Sequence, residues 1–244
     1  MIRDQKWVLD EKYGGNPTEA YGGDLKRLAS DEPVAYVIGS QPFLDLTIRL
    51  DTRPLIPRVE TEWWVNELIS SLPKDKPLSF LDLCSGSGAI GCAALSNLPN
   101  ARVSFGEIEA SHEATIRANI DENHLDASRA SIGIGDLFSP FADQIFDVIA
   151  SNPPYVPASR ALPASVARYE PARALFAGED GLDVIRRIAE ELSMHLSKTG
   201  IAWIEIDRGH ADAAAELFRS SGFITHIRTD QYGKPRIAVV SWPQ

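Results

Sequence analysis

Cysteine is nearly missing from this chain of 244 residues, which holds only Cys84 and Cys92. The two match no metal-ligand spacing, so no bound metal and no disulfide framework is expected, and two reduced thiols suit a cytoplasmic protein. Long apolar runs are absent too. Nothing approaches the ~18 residues of a membrane span, and the first residues lack the apolar centre of a secretion signal. Positive charge is in short supply: 24 Lys and Arg stand against 34 Asp and Glu, for a formal net charge of -10. That balance argues against long-range attraction to nucleic acid. Internal repeats and low-complexity segments are also lacking. What remains is 44% hydrophobic and 24% charged, the composition of a soluble globular chain long enough for one large core.

Apolar periodicity predicts helices over 61–72, 111–123, 181–196 and 211–221. Strands alternate with them, starting near Ser79, Arg102, Ala130, Phe146 and Ile201. Two last strands, at 226–230 and 237–241, flank the turn Gln231-Tyr232-Gly233-Lys234. The alternation indicates an α/β fold whose sheet is parallel except at its end. Ser111 reads as a helix cap, and Arg58 and Glu62, one helical turn apart, are expected to pair. His112, His124 and His195 fall on polar helix faces, and Lys234-Pro235-Arg236 reads as a solvated turn.

The most informative segment is Asn152-Pro153-Pro154-Tyr155, which follows the apolar run 146–151. Two consecutive prolines cannot join a sheet ladder and set a stiff turn at the strand's carboxyl end. The Asn152 side-chain oxygen and the Pro153 carbonyl then form a fixed pair of acceptors, roofed by the Tyr155 ring. Such a pair fits a planar –NH2 group, each of whose hydrogens needs a partner.

Upstream, the strand ending at Asp82-Leu83 runs into Cys84-Ser85-Gly86-Ser87-Gly88-Ala89-Ile90-Gly91, a glycine-rich turn opening a helix. The glycine spacing also describes dinucleotide sites. The acid at Asp82 shifts the balance, because a carboxylate there repels a pyrophosphate and suits an ammonium group. Glu107, at the tip of the next strand, is placed to accept both hydroxyls of a ribose. Asp136 is placed for an adenine amino group and Leu137 for the face of its ring. Amino acid, ribose and adenine on three successive strand ends is the layout of S-adenosylmethionine. The expected cofactor contacts are Asp82, Cys84, Ser85, Gly86, Ser87, Gly88, Glu107, Asp136, Leu137 and Asn152.

With these residues the chain resembles the HemK/PrmC family, the glutamine-specific methyltransferases of peptide chain release factors. The resemblance runs from about Pro33 to the end. It includes Pro33 to Gly39 with Phe43, then Leu55-Ile56-Pro57-Arg58-Val59-Glu60-Thr61-Glu62, Tyr169-Glu170-Pro171, Leu175 to Leu182 and Glu205-Ile206, all in family order. It implies a Rossmann-like class I methyltransferase fold with a seven-stranded, mostly parallel sheet and an antiparallel C-terminal hairpin. It divides the chain into a truncated N-terminal segment at 1–32, a linker hairpin at 33–58 and a methyltransferase domain at 59–244. The amino-terminal part is too short for an independent helical core, with Gly14-Gly15-Asn16-Pro17 and Gly22-Gly23 interrupting it.

The resemblance implies methyl transfer to a glutamine amide in the Gly-Gly-Gln loop of a release factor, with Asn152, Pro153, Pro154 and Tyr155 as the catalytic group. Thr61 or Glu62 would border the methionine end of the cofactor. The alternative is a nucleic-acid methyltransferase acting on the amino group of adenine, which the same acceptors would serve. That chemistry calls for a basic groove or a target-recognition domain, and neither is legible here.

Overall fold

The computed structural model describes residues 3–244. Its first elements are helices α1 (Arg3–Tyr13) and α2 (Tyr21–Ala29), so Gly22 and Gly23 lie inside a helix and interrupt nothing. The two glycines occupy the first turn of α2, and charge contacts further along secure the pair. Asp24 is buried and bonds the Lys12 ammonium, the Tyr13 hydroxyl and Arg27 at 2.7–3.0 Å. Arg27 also forks onto Glu32 and reaches the Tyr36 carbonyl. Val8 is the one residue that α1 buries. Polar contacts, and hardly any apolar core, hold this part together.

The stretch expected to form a linker hairpin begins as a short helix, α3 (Val34–Ile38), because Gly39 at φ 98° ends it in a left-handed turn. The hairpin proper is β1 (Ser40–Phe43) with β2 (Leu46–Arg49), antiparallel. Helix α4 (Val59–Ser71) follows, with Trp64, Val65, Leu68 and Ile69 on its buried side.

Next come β3 (Leu78–Leu83), α5 (Ala89–Asn97), β4 (Ala101–Glu107), α6 (His112–Glu122), β5 (Ala130–Ile134), β6 (Phe146–Ser151), α7 (Ala164–Tyr169), α8 (Asp183–His195), β7 (Leu196–Glu205), α9 (Ala211–Ser220), β8 (Ile224–Thr229) and β9 (Pro235–Ser241). Seven of these strands form one sheet in the order β5-β4-β3-β6-β7-β9-β8. The first five are parallel, and β9 is antiparallel to both neighbours. Helices cover both faces over two cores, one around Trp64, Phe80 and Phe105 and one around Leu81, Ile149 and Leu192. The chain steps outward from β3 to β5 and then crosses back to β6. A crevice therefore opens where the carboxyl ends of β3 and β6 lie side by side, the usual ligand position of such sheets.

Several local expectations change. Ser111 makes no cap hydrogen bond and contacts Glu109. Arg58 pairs with Glu170 at 2.6 Å, while Glu62 accepts the Leu44 N–H at 2.8 Å, since each meets a better-placed partner across the chain. His195 is buried, stacked on Phe138 at 4.5 Å, and His112 is buried as well. Arg236 belongs to β9 and bonds Asp230, so Lys234-Pro235-Arg236 is no free turn.

The hairpin is fastened to α6 by two asparagines. Asn123 Oδ1 accepts from the Thr47 N–H at 2.9 Å, and its Nδ2 donates to the Thr47 carbonyl at 2.9 Å. Asn119 repeats the pattern on Arg49 at 2.7 and 3.2 Å. Asn119 Nδ2 also reaches the Ser87 carbonyl at 2.8 Å, tying the hairpin to the glycine-rich turn.

Candidate active site

The crevice holds a cavity of about 540 Å³ whose walls include Cys84, Gly86, Glu107, Asp136, Leu137, Asn152 and Pro154. That volume suits a cofactor-sized ligand. The strand ends expected to converge therefore do so.

Gly86 lines the cavity at φ 55°, a conformation that L side chains rarely adopt, and an added Cβ would have only Pro54 within 4 Å. A side chain here would occupy cavity space. The Gly86 N–H donates to Glu107 Oε2 at 2.7 Å, and the Glu109 N–H to Oε1 at 2.8 Å. Glu107 is thereby held rigid, yet each oxygen keeps a lone pair for a further donor. Asp136 sits at the third strand end in a two-pronged ion pair with Arg187, at 2.8 and 3.2 Å.

Asp82, Ser85, Ser87 and Gly88, also expected as contacts, lie behind this wall. Asp82 is fully buried; its Oδ2 accepts the Gly91 N–H at 2.8 Å, and its Oδ1 has no partner. Burial pushes its carboxyl up to about 7, with the Glu107 charge adding to the rise against the Gly91 hydrogen bond. Ser85 turns to the Asp82 and Gly106 carbonyls. Ser87 and Gly88 pack toward α6, where a Cβ on Gly88 would stand 3.2 Å from Ile116. Cys84 lines the cavity but is no reactive thiol, since burial raises it to about 12. It occupies a left-handed position, φ 63°, where the turn would favour glycine.

At the opposite wall stand Asn152 and Pro154, just past β6. The backbone that follows is pinned: Val156 N–H donates to the Leu175 carbonyl at 2.8 Å and Ala177 N–H to the Val156 carbonyl at 3.0 Å. Gly181, at φ 77°, packs so close that a Cβ would lie 2.5 Å from the Tyr155 carbonyl. Glu170, buried, accepts both the Ile56 N–H and Arg58, which draws the two segments flanking the crevice together. Tyr155 differs from its expected place. Its hydroxyl turns inward to Glu205 Oε1 at 2.9 Å, and its ring packs on the core beside α8 without lining the cavity.

Known proteins decide what class of enzyme this cavity belongs to. The release factor glutamine methyltransferase of Thermodesulfovibrio yellowstonii is 34% identical over 221 residues, covering 88% of this chain and 78% of that protein. Its Streptococcus pneumoniae counterpart is 36% identical over 219 residues, covering 88% and 77%. The chain belongs to the release factor glutamine methyltransferase family. The family model of the methyltransferase small domain matches residues 65–168. A solved methyltransferase from Pyrococcus furiosus shares the fold, with a TM-score of 0.59 at 16% identity over 90% of this chain and 97% of that one. As a member of the release factor glutamine methyltransferases, the chain is an enzyme whose methyl donor is S-adenosylmethionine.

For a release factor glutamine methyltransferase the cavity has further walls that sequence reasoning did not reach. Arg53, His112 and Arg173 line it, as does Arg187. His112 Nδ1 lies 2.9 Å from the Thr52 hydroxyl, which itself meets Thr115 at 2.8 Å. Arg53 pairs with Glu32, which lies between α2 and α3 and so ties that connection to a residue of the cavity wall. Thr61 does not line the cavity; it stands behind Asn152, whose Nδ2 donates to it at 3.1 Å. Glu62 lies on the hairpin side. Glu205, noted in sequence only for its position, proves to be the buried centre of a polar cluster with Thr61, Trp64 and Tyr155. His210 is half-buried with an unpartnered Nε2, and burial lowers its pKa. No helix among the described residues is long and apolar enough to cross a membrane.

Proposed function

We propose that this chain methylates the side-chain amide nitrogen of a glutamine, in the Gly-Gly-Gln loop of a peptide chain release factor. The observation that carries the reading is the position of Asn152 and Pro154 on one wall of a cavity whose other wall holds Gly86, Glu107 and Asp136. Glu107 would take the ribose hydroxyls, Asp136 and Leu137 the adenine, and the turn at Cys84 to Gly88 the amino-acid end, with Asp82 acting from behind it.

A glutamine amide is a weak nucleophile because its lone pair is delocalised into the carbonyl. Bound S-adenosylmethionine supplies an electrophilic methyl group on a positively charged sulfur. Asn152 Oδ1 and the Pro153 carbonyl would each accept one amide hydrogen and aim the nitrogen. The nitrogen grows more acidic as its new bond forms, so both hydrogen bonds strengthen on the way to the transition state. Alignment supplies much of the remaining acceleration. The pinned backbone after Tyr155 makes these acceptors pre-set. The product proton leaves to water. With Tyr155 turned inward, its part is to brace the turn from below.

The test offers labelled S-adenosylmethionine with a release factor, with its loop Gln→Ala variant, and with adenine-containing oligonucleotides. Label is expected on the parental factor alone. Label on the oligonucleotide, or on the loop variant as strongly as on the parent, would refute the acceptor named here.

A further inference from the structure

A carboxamide is nearly symmetric in shape, and turning Asn152 over would show the substrate an NH2 in place of the oxygen it needs. The structure assigns the prevention of that flip to Thr61 and Glu205. Through a hydrogen-bond chain of fixed polarity they hold the Asn152 oxygen on the side away from Thr61, and both are positioning residues for methyl transfer. This deepens the proposed function and rests on it.

The polarity starts at Glu205, the last residue of β7. Its Oε2 receives the Trp64 indole N–H at 2.7 Å and the Thr61 hydroxyl at 2.6 Å. An indole nitrogen only donates, so it claims one lone pair of that oxygen. Burial raises the pKa of this carboxyl, while its three hydrogen-bond donors and the Arg236 charge favour the ionised form, in which Thr61 donates to the other lone pair. The single hydroxyl proton of Thr61 is thus committed to Glu205, and Thr61 Oγ1 faces Asn152 as an acceptor. Only the NH2 end of Asn152 can sit 3.1 Å from an acceptor. Glu205 Oε1 meanwhile receives the Tyr155 hydroxyl, so one carboxylate steadies both polar ends of the Asn-Pro-Pro-Tyr turn. Thr61 is 4% exposed and Glu205 1%, so water cannot substitute for either.

The test follows the Asn152 side-chain amide by nitrogen-edited NMR on the whole protein, beside turnover with the release factor and affinity for S-adenosylhomocysteine. The parental Asn152 NH2 protons are expected to exchange slowly. Thr61→Val should abolish that protection and lower turnover by roughly 30- to 100-fold, as when a transition-state hydrogen-bond partner is misdirected, with cofactor affinity unchanged. Thr61→Ser, which keeps the hydroxyl, should restore both to within about threefold, a difference of less than 1 kcal/mol. Glu205→Gln should retain the protected signal, since Trp64 selects the amide oxygen for the Oε2 position. Fast exchange in the parent, equal loss in the Val and Ser variants, or an unprotected signal in Glu205→Gln would each overturn the assignment. Should Thr61→Val fail to fold, the parental and Glu205→Gln signals still decide it. A parent that protects Asn152 but leaves the release factor unlabelled would sink the proposed acceptor and spare this chain of bonds.

Discussion

Asn152 is the side chain on which chemistry and binding separate. Asn152→Ala removes one acceptor of the reacting nitrogen, so turnover should fall on the order of a hundredfold or more. Titration calorimetry with S-adenosylhomocysteine should show affinity little changed, because Glu107 and the glycine-rich turn remain. Near-parental turnover would end the proposed role. Asp82 leads to a second expectation. Its folded carboxyl sits near 7, above its ordinary value of 3.8, so between those pH values the folded protein holds a proton that the unfolded chain has released. Stability should therefore fall as pH rises from about 4 to about 7 and level off above, by at most ~4 kcal/mol from this group. Asp82→Asn should flatten that slope in denaturant melts across the range; an unchanged slope would mean that Asp82 is ionised in the fold. Glu107, Gly86 and Asn152 were legible in sequence because each sits at a strand end within a few residues of its marker. The Thr61–Glu205 contact was not, since 144 residues separate its partners.

Helix α5 lies on β4 at very short range, and Gly91 is the reason. A Cβ there would stand 2.2 Å from the fully buried Phe105 ring, so Gly91→Ala should destabilise by about 1–3 kcal/mol through overpacking. Phe105→Leu alone should also destabilise, by leaving a void. Combined, the two should cost less than their sum in denaturant melts, because the smaller side chain makes room for the methyl. Strict additivity would show that the glycine serves the turn and not the packing. At this scale the central elements were readable, since β3, β4 and β6 carry apolar runs bounded by glycine or proline. Helices α1 to α3 were not, because two glycine pairs mask the first two and the third has only five residues. What ties them together is the pairing of Lys12 with Asp24 and of Arg27 with the Tyr36 carbonyl, and contacts between separate helices leave no periodic trace.

For the molecule as a whole, the crevice at the reversal of strand order makes ligand binding and fold stability one problem. A ligand held only by the folded state at a hundred times its dissociation constant stabilises by ~2.7 kcal/mol. For a chain of this size that corresponds to a rise of about 5–11 °C in melting temperature. S-adenosylhomocysteine should produce such a shift and NAD should not, which thermal melts at matched ligand concentrations would show. The reverse pattern would contradict the assignment of the glycine-rich turn to the amino-acid end of S-adenosylmethionine. A parallel sheet with an antiparallel end was legible, because strands alternate with helices until the last two strands flank a turn. The way Glu170 and Arg58 stitch the crevice's two flanks was not, because they are 112 residues apart.

The asparagine fastening of the hairpin sets a rule of length. Four residues of helix advance about 6 Å and two residues of strand about 6.8 Å, so Asn119 and Asn123 keep step with Arg49 and Thr47 for two rungs and drift thereafter. Peptide groups along a strand face alternate edges, and Ile48 between the rungs turns to Gln41 of β1. One residue added between Thr47 and Arg49 would aim one rung's peptide away from its asparagine. Two added residues would restore its direction but carry it beyond reach. This part of the chain therefore cannot grow from within, and added residues are expected to be tolerated at the turn of Leu44 and Asp45 instead.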